Sequence, residues 1–599
     1  MNPEDIRNIY TDLKQKNEIL LAGFKKQQLL ISLLRLFVFI AGGILSAIAF
    51  SHSVTGGMLA VLFTIICFVF LVKEFEDYSG RIEITQNLIT VNCNEINALN
   101  GDYSPFDGGL ELFDAKHDFS ADVDLFGEDS LLRYLNRTVT GSGRSHLAGW
   151  LSEPYDLREE ISERQDAVRE LAGKLAWRQQ FIAFGLGKPL NDNEIKSLRD
   201  WLNESEDSYS SPLFKILSYV LPIAVIISLL VVVAGALPFM IFLLLYIFNL
   251  FLISLFLKKS NRIHAMVSQK HLFLSSFEQL VGSFEKEQFK SDVLNSIKEK
   301  LFSGQSSVAF KIKELNNIIS AFDNRLNLFV GLILNGFLLW DFHCIMRLEK
   351  WRRSASSSLP LWLDLLGKAD GLNSLANYAF NNPDNSFPDV GENGQLLEAF
   401  RMGHPLLKKE TRVCNDFSVQ QRGQIFIITG ANMAGKSTFL RTVAVNMILG
   451  MTGAPVCAEK MKLTPLKLFT SMRTVDSLSH NESYFYAELK RLKALKERLE
   501  DGEDIFFILD EILKGTNSTD KSLGSKQFLR RIIDLGGTGL IATHDISLGE
   551  METEYPMNVV NKCFEVEIDG ENISFDYLLR DGITRKMNAA ALMRQMGIA

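Results

Sequence analysis

Three short stretches near the C-terminal end of the chain carry side chains and spacings suited to a nucleoside triphosphate. Gly430-Ala431-Asn432-Met433-Ala434-Gly435-Lys436-Ser437-Thr438 follows the apolar run Ile425-Phe426-Ile427-Ile428 and precedes an apolar helical stretch over 439–449. That is G-x-x-x-x-G-K-S in the strand, loop, helix setting the pattern needs. Backbone amides from Gly430 through Thr438 are expected to cradle phosphate, with Lys436 placing positive charge at the β/γ position and Ser437 holding Mg2+. A second apolar run, Ile505-Phe506-Phe507-Ile508-Leu509, ends in Asp510-Glu511. Asp510 suits Mg2+, directly or through its water shell, and Glu511 stands next along to orient or deprotonate the attacking water. A third strand, Thr538-Gly539-Leu540-Ile541-Ala542-Thr543, presents His544 at its end, where it suits sensing of the γ-phosphate. The expected chemistry is Mg2+-dependent ATP hydrolysis, with Lys436, Glu511 and His544 as catalytic residues and Ser437 and Asp510 as metal ligands.

These motifs need a sheet to hold them. The turn-rich Asn381-Asn382-Pro383-Asp384-Asn385-Ser386-Phe387-Pro388, followed by Gly391 and Gly394, marks a boundary. Beyond it, short β-branched runs alternate with helical stretches, the pattern of an α/β domain. Upstream, residues 130–177 and 262–325 interleave charged and apolar residues at helical spacing, whereas 101–120 read as loop.

The remaining chain is dominated by two apolar blocks. Between Arg35 and Lys73 there is no Asp, Glu, Lys or Arg, and Ser51-His52-Ser53-Val54-Thr55-Gly56-Gly57 divides the block. Over 214–257 only Lys215 is charged, and Gly235-Ala236-Leu237-Pro238 supplies a turn. Each half-block holds about 20 apolar residues, enough for one membrane-crossing helix. Lys14, Lys16, Lys25 and Lys26 precede the first block, Lys73 follows it, and Lys258, Lys259 and Arg262 follow the second. Both interhelical turns lack Lys and Arg, so the positive-inside rule places the N-terminus, the middle and the C-terminus in the cytoplasm, at the inner membrane. Arg35 is expected to snorkel to the interface. A third apolar run, 326–340, is short for a span and is expected to be a buried helix.

Composition narrows the partners. The 599 residues are too many for one core, so several units are expected. The formal net charge of −8 lacks the basic excess of a dedicated nucleic-acid binder. Six scattered cysteines without a C-x-x-C pair offer neither a disulfide framework nor a zinc ribbon.

The motifs resemble those of the MutS mismatch-repair ATPases, a branch of the ABC ATPase class. Thr429 through Thr438 looks like the family P-loop with its Asn-Met pair. Leu509-Asp510-Glu511-Ile512-Leu513-Lys514-Gly515-Thr516-Asn517-Ser518-Thr519 looks like its Walker B running into a dimer-contacting loop. Ala542-Thr543-His544 resembles its histidine switch, and Asp476 with Asn481-Glu482-Ser483-Tyr484-Phe485-Tyr486-Ala487-Glu488 stands at its signature segment. The resemblance implies a homodimer with two composite sites, in which Ser483 reaches the ATP γ-phosphate bound by the partner. Ala431, Ala434, Asn481 and Lys514 depart from the family's usual proline, glycine, glycine and arginine. Upstream, Asp124-Leu125-Phe126-Gly127, Ser130-Leu131-Leu132, Leu135-Asn136-Arg137-Thr138, Gly143-Arg144 and Pro154 through Arg164 look like the start of the family's core domain. That domain implies lever helices, and the second hairpin stands where the family's DNA clamp is expected. A counterpart of the family's mismatch-reading module is not expected among these residues.

The expected architecture is multidomain: transmembrane helical hairpins, a mostly α-helical core/lever domain, and an ABC-type α/β P-loop ATPase domain. Its divisions are an N-terminal arm over 1–28, a first hairpin over 29–73, the lever's first part over 74–215, a second hairpin over 216–257, the lever's second part over 258–380, and the ATPase domain over 381–599. The expected function is a membrane-anchored ATPase that couples closure of the composite sites to a membrane-proximal event or a membrane-protein partner. The alternative is an ATP-dependent DNA-binding protein of the mismatch-repair or recombination type held at the membrane.

Overall fold

The computed structural model describes residues 3–154, 157–186, 200–202, 212–267, 271–302, 307–391, 396–473, 484–514, 517–569 and 572–584. The chain opens with two very long helices, α1 (Pro3–His52) and α2 (Val54–Leu99), packed against each other as a hairpin. The break falls on Ser53, whose extended backbone and hydroxyl cap α2 by accepting the Gly56 N–H. Its tip-ward halves expose Leu33, Phe37, Ile40, Ile44, Leu62, Phe63, Ile66 and Phe70, side chains that water would not tolerate in such density. Arg35 does not stand free among them: its guanidinium lies 5.4 Å and 5.0 Å from the Phe68 and Phe75 ring centroids on α2. The other halves continue without interruption, so residues 3–28 form the same helix as the first apolar segment.

A helical region follows: α3 (Leu131–Leu135), α4 (Gly141–Ser152), α5 (Arg158–Ala172) and α6 (Leu175–Leu186). The second hairpin is α7 (Pro212–Val233) and α8 (Phe239–Val267), turning at Gly235. Helices α9 (His271–Lys286), α10 (Asp292–Phe302) and α11 (Val308–Asp323) pack back on α5, α6 and each other. Next come α12 (Leu328–Leu338), α13 (Trp340–Ala355) and α14 (Leu359–Asn381), which packs on α4 and α5. Among the described residues, α1, α2, α7 and α8 are long and apolar enough to cross a membrane, and α12 with α13, bent by 81° between them, makes a fifth if counted as one. Such helices support a multi-pass membrane protein.

The run 326–340 departs from the expectation of a buried helix. Helix α12 exposes Leu328, Phe329, Leu332 and Ile333 and buries Gly331, Asn335 and Gly336. Its composition satisfies a membrane as well as a protein interior, and the helix ends at Leu339, which adopts a left-handed backbone (φ +48°).

The C-terminal unit is α/β. A four-stranded sheet, ordered β1-β5-β2-β3, joins β1 (Asp389–Val390), β2 (Leu397–Met402), β3 (Asn415–Val419) and β5 (Lys460–Leu463). The larger sheet is ordered β10-β9-β4-β8-β7-β6: β4 (Ile425–Gly430), β6 (Lys467–Ser471), β7 (Ile505–Asp510), β8 (Thr538–Thr543), β9 (Val559–Asp569) and β10 (Asn572–Asp581). All its pairings are parallel except β9 with β10. Helices α15 (Lys436–Met451), α16 (Tyr484–Glu500) and α17 (Ser518–Asp534) provide its crossovers. Strand β4 and strand β8 are buried at every position, which is why both are continuous apolar runs in the sequence.

Candidate nucleotide site

Strands β4, β7 and β8 are parallel neighbours, so their C-terminal ends share one edge, where ligands of open α/β sheets bind. Gly430-Ala431-Asn432-Met433-Ala434-Gly435 runs from β4 into α15 along that edge. Gly435, the residue before α15, has φ +102°, and a Cβ there would stand 3.0 Å from Tyr577 Cδ1; both the backbone and the space demand glycine. Met433 carries φ +65° without that excuse.

Lys436, although 6% exposed, donates from Nζ to the carbonyls of Gly430 and Ala431, each at 2.9 Å. Burial pushes its ammonium down to about 8, against the pull of Asp510 and Glu511. The loop holds the cation inward, where phosphate oxygens can replace the carbonyls. Ser437 Oγ donates to Asp510 Oδ2 at 2.5 Å, which brings a hydroxyl from the P-loop helix and a carboxylate from β7 together. Two hard oxygen donors side by side fit Mg2+, which favours carboxylate, hydroxyl and water oxygens.

Glu511 has a left-handed backbone (φ +56°), its N–H donating to the Ala542 carbonyl on β8 at 2.9 Å. Its Oε1 lies 3.2 Å from His544 Nε2, and His544 Nε2 lies 3.4 Å from Lys436 Nζ. Burial first, and the Lys436 charge second, hold the His544 imidazole below its ordinary range. Lys436, Ser437, Asp510, Glu511 and His544 thus line one cavity of about 550 Å³, together with Asn432, Met433, Ala434, Gly435 and Thr438. A cation, a hydroxyl–carboxylate pair, a second carboxylate and an imidazole in one cavity are groups suited to binding a triphosphate and activating water.

The sequence motifs carried no sign of the rest of the lining. Met402, His404, Leu407, Thr411 and Val413 come from the segment around β2, and Phe564 and Tyr577 from β9 and β10. Nor did they assign a role to Glu488. This α16 residue is 4% exposed and accepts the N–H groups of Leu513 at 2.5 Å and Lys514 at 3.1 Å, gripping the loop that follows Glu511. Ser483 and Asn481 lie outside the described residues, as does Asp476.

Residues 426–597 match the family model MutS domain V, and residues 109–211 match MutS domain III. The C-terminal unit is therefore homologous to the MutS ATPase domain. Among similar proteins, "DNA mismatch repair protein MutS" of Persephonella marina is 28% identical over 318 residues, covering 52% of this chain and 32% of the relative. The protein of the same title from Fusobacterium nucleatum is 31% identical over 219 residues, 35% of this chain and 24% of its own. Human "MutS protein homolog 4" is 33% identical over 196 residues, 31% of this chain and 20% of its own. The chain thus spans about a third or less of the length of these curated relatives. The two matched stretches lie on either side of the second hairpin.

Two junctions tie this site to the preceding helical region. At the end of the P-loop helix, the Thr452 carbonyl accepts from Arg164 Nη1 at 3.1 Å, and its hydroxyl donates to the Trp150 carbonyl at 3.0 Å. The Arg164 guanidinium lies 4.1 Å from the Trp150 ring centroid, so α4 and α5 are clamped to α15. Beside β6, the Asp122 carboxylate accepts from Thr470 Oγ1 at 2.6 Å, Met472 N at 3.1 Å and Arg473 N at 2.7 Å. These are the last described residues before the stretch that contains Ser483.

Proposed function

We propose that the protein is a membrane-anchored MutS-like ATPase of the ABC class that binds Mg2+-ATP and hydrolyses it. The observation that carries this reading is the convergence of Lys436, Ser437, Asp510, Glu511 and His544 on one cavity at the ends of β4, β7 and β8. In it, Lys436 and the loop amides bind the β- and γ-phosphates, and Ser437 and Asp510 would hold Mg2+, which would supply neutralisation of phosphate charge. Glu511 accepts the proton of the attacking water, and His544 reads the γ-phosphate and orients Glu511. Ser483 completes the site of a partner copy, so a homodimer carries two composite sites. The family likeness supports that arrangement.

Closure at these sites reaches the membrane through packed elements: α15 holds Trp150 and Arg164, α4 and α5 pack on α14, and α14 ends at the base of the first hairpin. There Asn381 donates to Glu95 at 2.8 Å and accepts from the Tyr10 hydroxyl at 2.7 Å. Positive residues flanking both hairpins support an orientation with the ATPase domain on the cytoplasmic side of the inner membrane.

Complementation tests the composite site. Ser483→Ala and Lys436→Ala dimers should each lose hydrolysis. Mixing them should restore it, because one site of the mixed dimer then carries both an intact lysine and an intact serine. No recovery in verified mixed dimers would overturn the composite reading. The titles of the similar proteins favour a second reading, an ATP-dependent DNA-binding protein of the repair or recombination type held at the membrane. Salt-dependent, nucleotide-modulated affinity for mismatched, branched or single-stranded DNA decides for it, and stimulation by co-purifying membrane proteins alone decides against it.

A further inference from the structure

Helix α12 is an apolar helix with a fully occupied inner face and an uncovered outer one. On its inner face, Tyr246 Oη of α8 donates to the Leu332 carbonyl at 3.1 Å and Asn249 Nδ2 donates to the Gly336 carbonyl at 2.9 Å. A Cβ on Gly336 would stand 2.2 Å from the Tyr246 ring, so the two helices meet without space for a side chain. On its outer face, Leu328 and Phe329 are 70% and 77% exposed, and Leu332 and Ile333 continue the same apolar surface toward that of the second hairpin.

Depth follows from helix rise. Tyr246 and Asn249 stand 7 and 10 residues into α8, about 10–15 Å from its turn, whereas Ser260 stands about 32 Å from it, close to the ~30 Å thickness of a hydrocarbon core. With α8 spanning a bilayer, its contacts with α12 would lie near mid-depth. The chain on both sides of α12 comes back to the level of Ser260. Arg325 pairs with Asp341 at 3.2 Å, and Ser260 Oγ donates to Asp341 Oδ2 at 3.0 Å. Arg325 Nη2 also donates to Asn261 Oδ1 at 2.6 Å.

The broken backbone is dry and satisfied, as a membrane demands of any non-helical segment. Leu339 is fully buried, the Asp341 N–H donates to Asn335 Oδ1 at 2.9 Å, and Asn335 Nδ2 returns to Asp341 Oδ1 at 3.1 Å. Beyond the bend, α13 leaves the apolar layer: Trp340 Nε1 and Trp351 Nε1 donate to the carbonyls of Ala321 and Lys311 on α11, each at 2.7 Å. Eleven residues of α12 rise about 16 Å, half of a span.

We infer that α12 is a re-entrant helix, entering the bilayer from the face that carries the ATPase domain, packing at mid-depth on α7 and α8, and returning to the same face, with lipid acyl chains covering its outer side. The inference rests on the reading of α7 and α8 as a membrane-spanning hairpin. Arg325, Asp341 and Ser260 form the neck through which the lever passes into the membrane.

The test uses full-length protein in sealed vesicles of both orientations, with native cysteines replaced and single cysteines introduced at Asn324, Ile333 or Ala236. With a membrane-impermeant maleimide, Asn324→Cys should react from the ATPase side and Ala236→Cys from the opposite side, whereas Ile333→Cys should react from neither until detergent is added. A nitroxide on Ile333→Cys should be relaxed by oxygen and not by a water-soluble nickel chelate. Labelling of Ile333→Cys from the far side would show a fifth span, and labelling from the ATPase side a surface helix; either overturns the inference. Protection without oxygen relaxation would mean cover by protein and overturns it equally. Ala236→Cys reacting from the ATPase side would bring down the hairpin reading itself, an outcome distinct from failure of α12 alone.

Discussion

Glu511 is presented to the cavity by a backbone twist, φ +56°, that a non-glycine residue adopts only under restraint. Its N–H is held by β8, its carboxylate touches His544, and its loop is held by Glu488 from α16. Replacing Glu511 by Gln should lower kcat by about 100-fold or more, the range of a lost general base, while nucleotide affinity stays; phosphate release and equilibrium binding measured together check this. Glu488→Ala should act on the same step from a distance. Two buried N–H groups lose their acceptor, at about 1–3 kcal/mol each, and the loop carrying Glu511 is freed. The expected result is a kcat reduced about tenfold with KM for ATP within a factor of two. Glu488→Gln, which keeps one acceptor oxygen, should recover part of the loss; equal defects in both variants, or a change in KM alone, would remove Glu488 from the aiming of Glu511.

Among the elements, the most exacting junction joins the first hairpin to the helices that follow it. Glu95, 2% exposed on α2, pairs with Arg137 Nε at 2.5 Å just after α3 and accepts from Asn381 at the end of α14. Tyr10 of α1 and Arg178 of α6 are fully buried around it. Breaking a buried pair costs about 3–5 kcal/mol because the surviving charge keeps its desolvation penalty. Glu95→Ala should therefore lower the thermal transition of the detergent-solubilised protein, whereas an exposed pair such as Lys14 with Glu18 should be replaceable with a change under about 0.5 kcal/mol. The P-loop, the ends of β4, β7 and β8, and both apolar hairpins were legible in sequence because each depends on neighbours within a few residues. The clustering of Arg137, Tyr10 and Asn381 around Glu95 was not, because a buried polar residue has no local signature distinguishing it from a surface one. Glu488 lay inside a quoted motif, yet its partners Leu513 and Lys514 are 25 and 26 residues away.

At the scale of the whole molecule, the candidate nucleotide cavity, a helical region and two apolar hairpins form one packed succession. Its topology predicts that cysteines at Ser53 and Ala236 react only from the side of the membrane opposite the ATPase domain; labelling of either from the ATPase side would reverse the orientation. By itself the sequence singled out the phosphate loop, the acidic pair and the histidine, and the positions of the two hairpins, since spacing along a strand or helix and unbroken apolar runs are local properties. Only the tertiary structure decided that β4, β7 and β8 are neighbours, that Met402, Leu407 and Tyr577 close the cavity, and that Trp150 and Arg164 clamp the P-loop helix. It also decided the surroundings of the run 326–340. Apolar composition states that a helix shuns water, but whether protein or lipid covers it depends on what the folded chain places against each face.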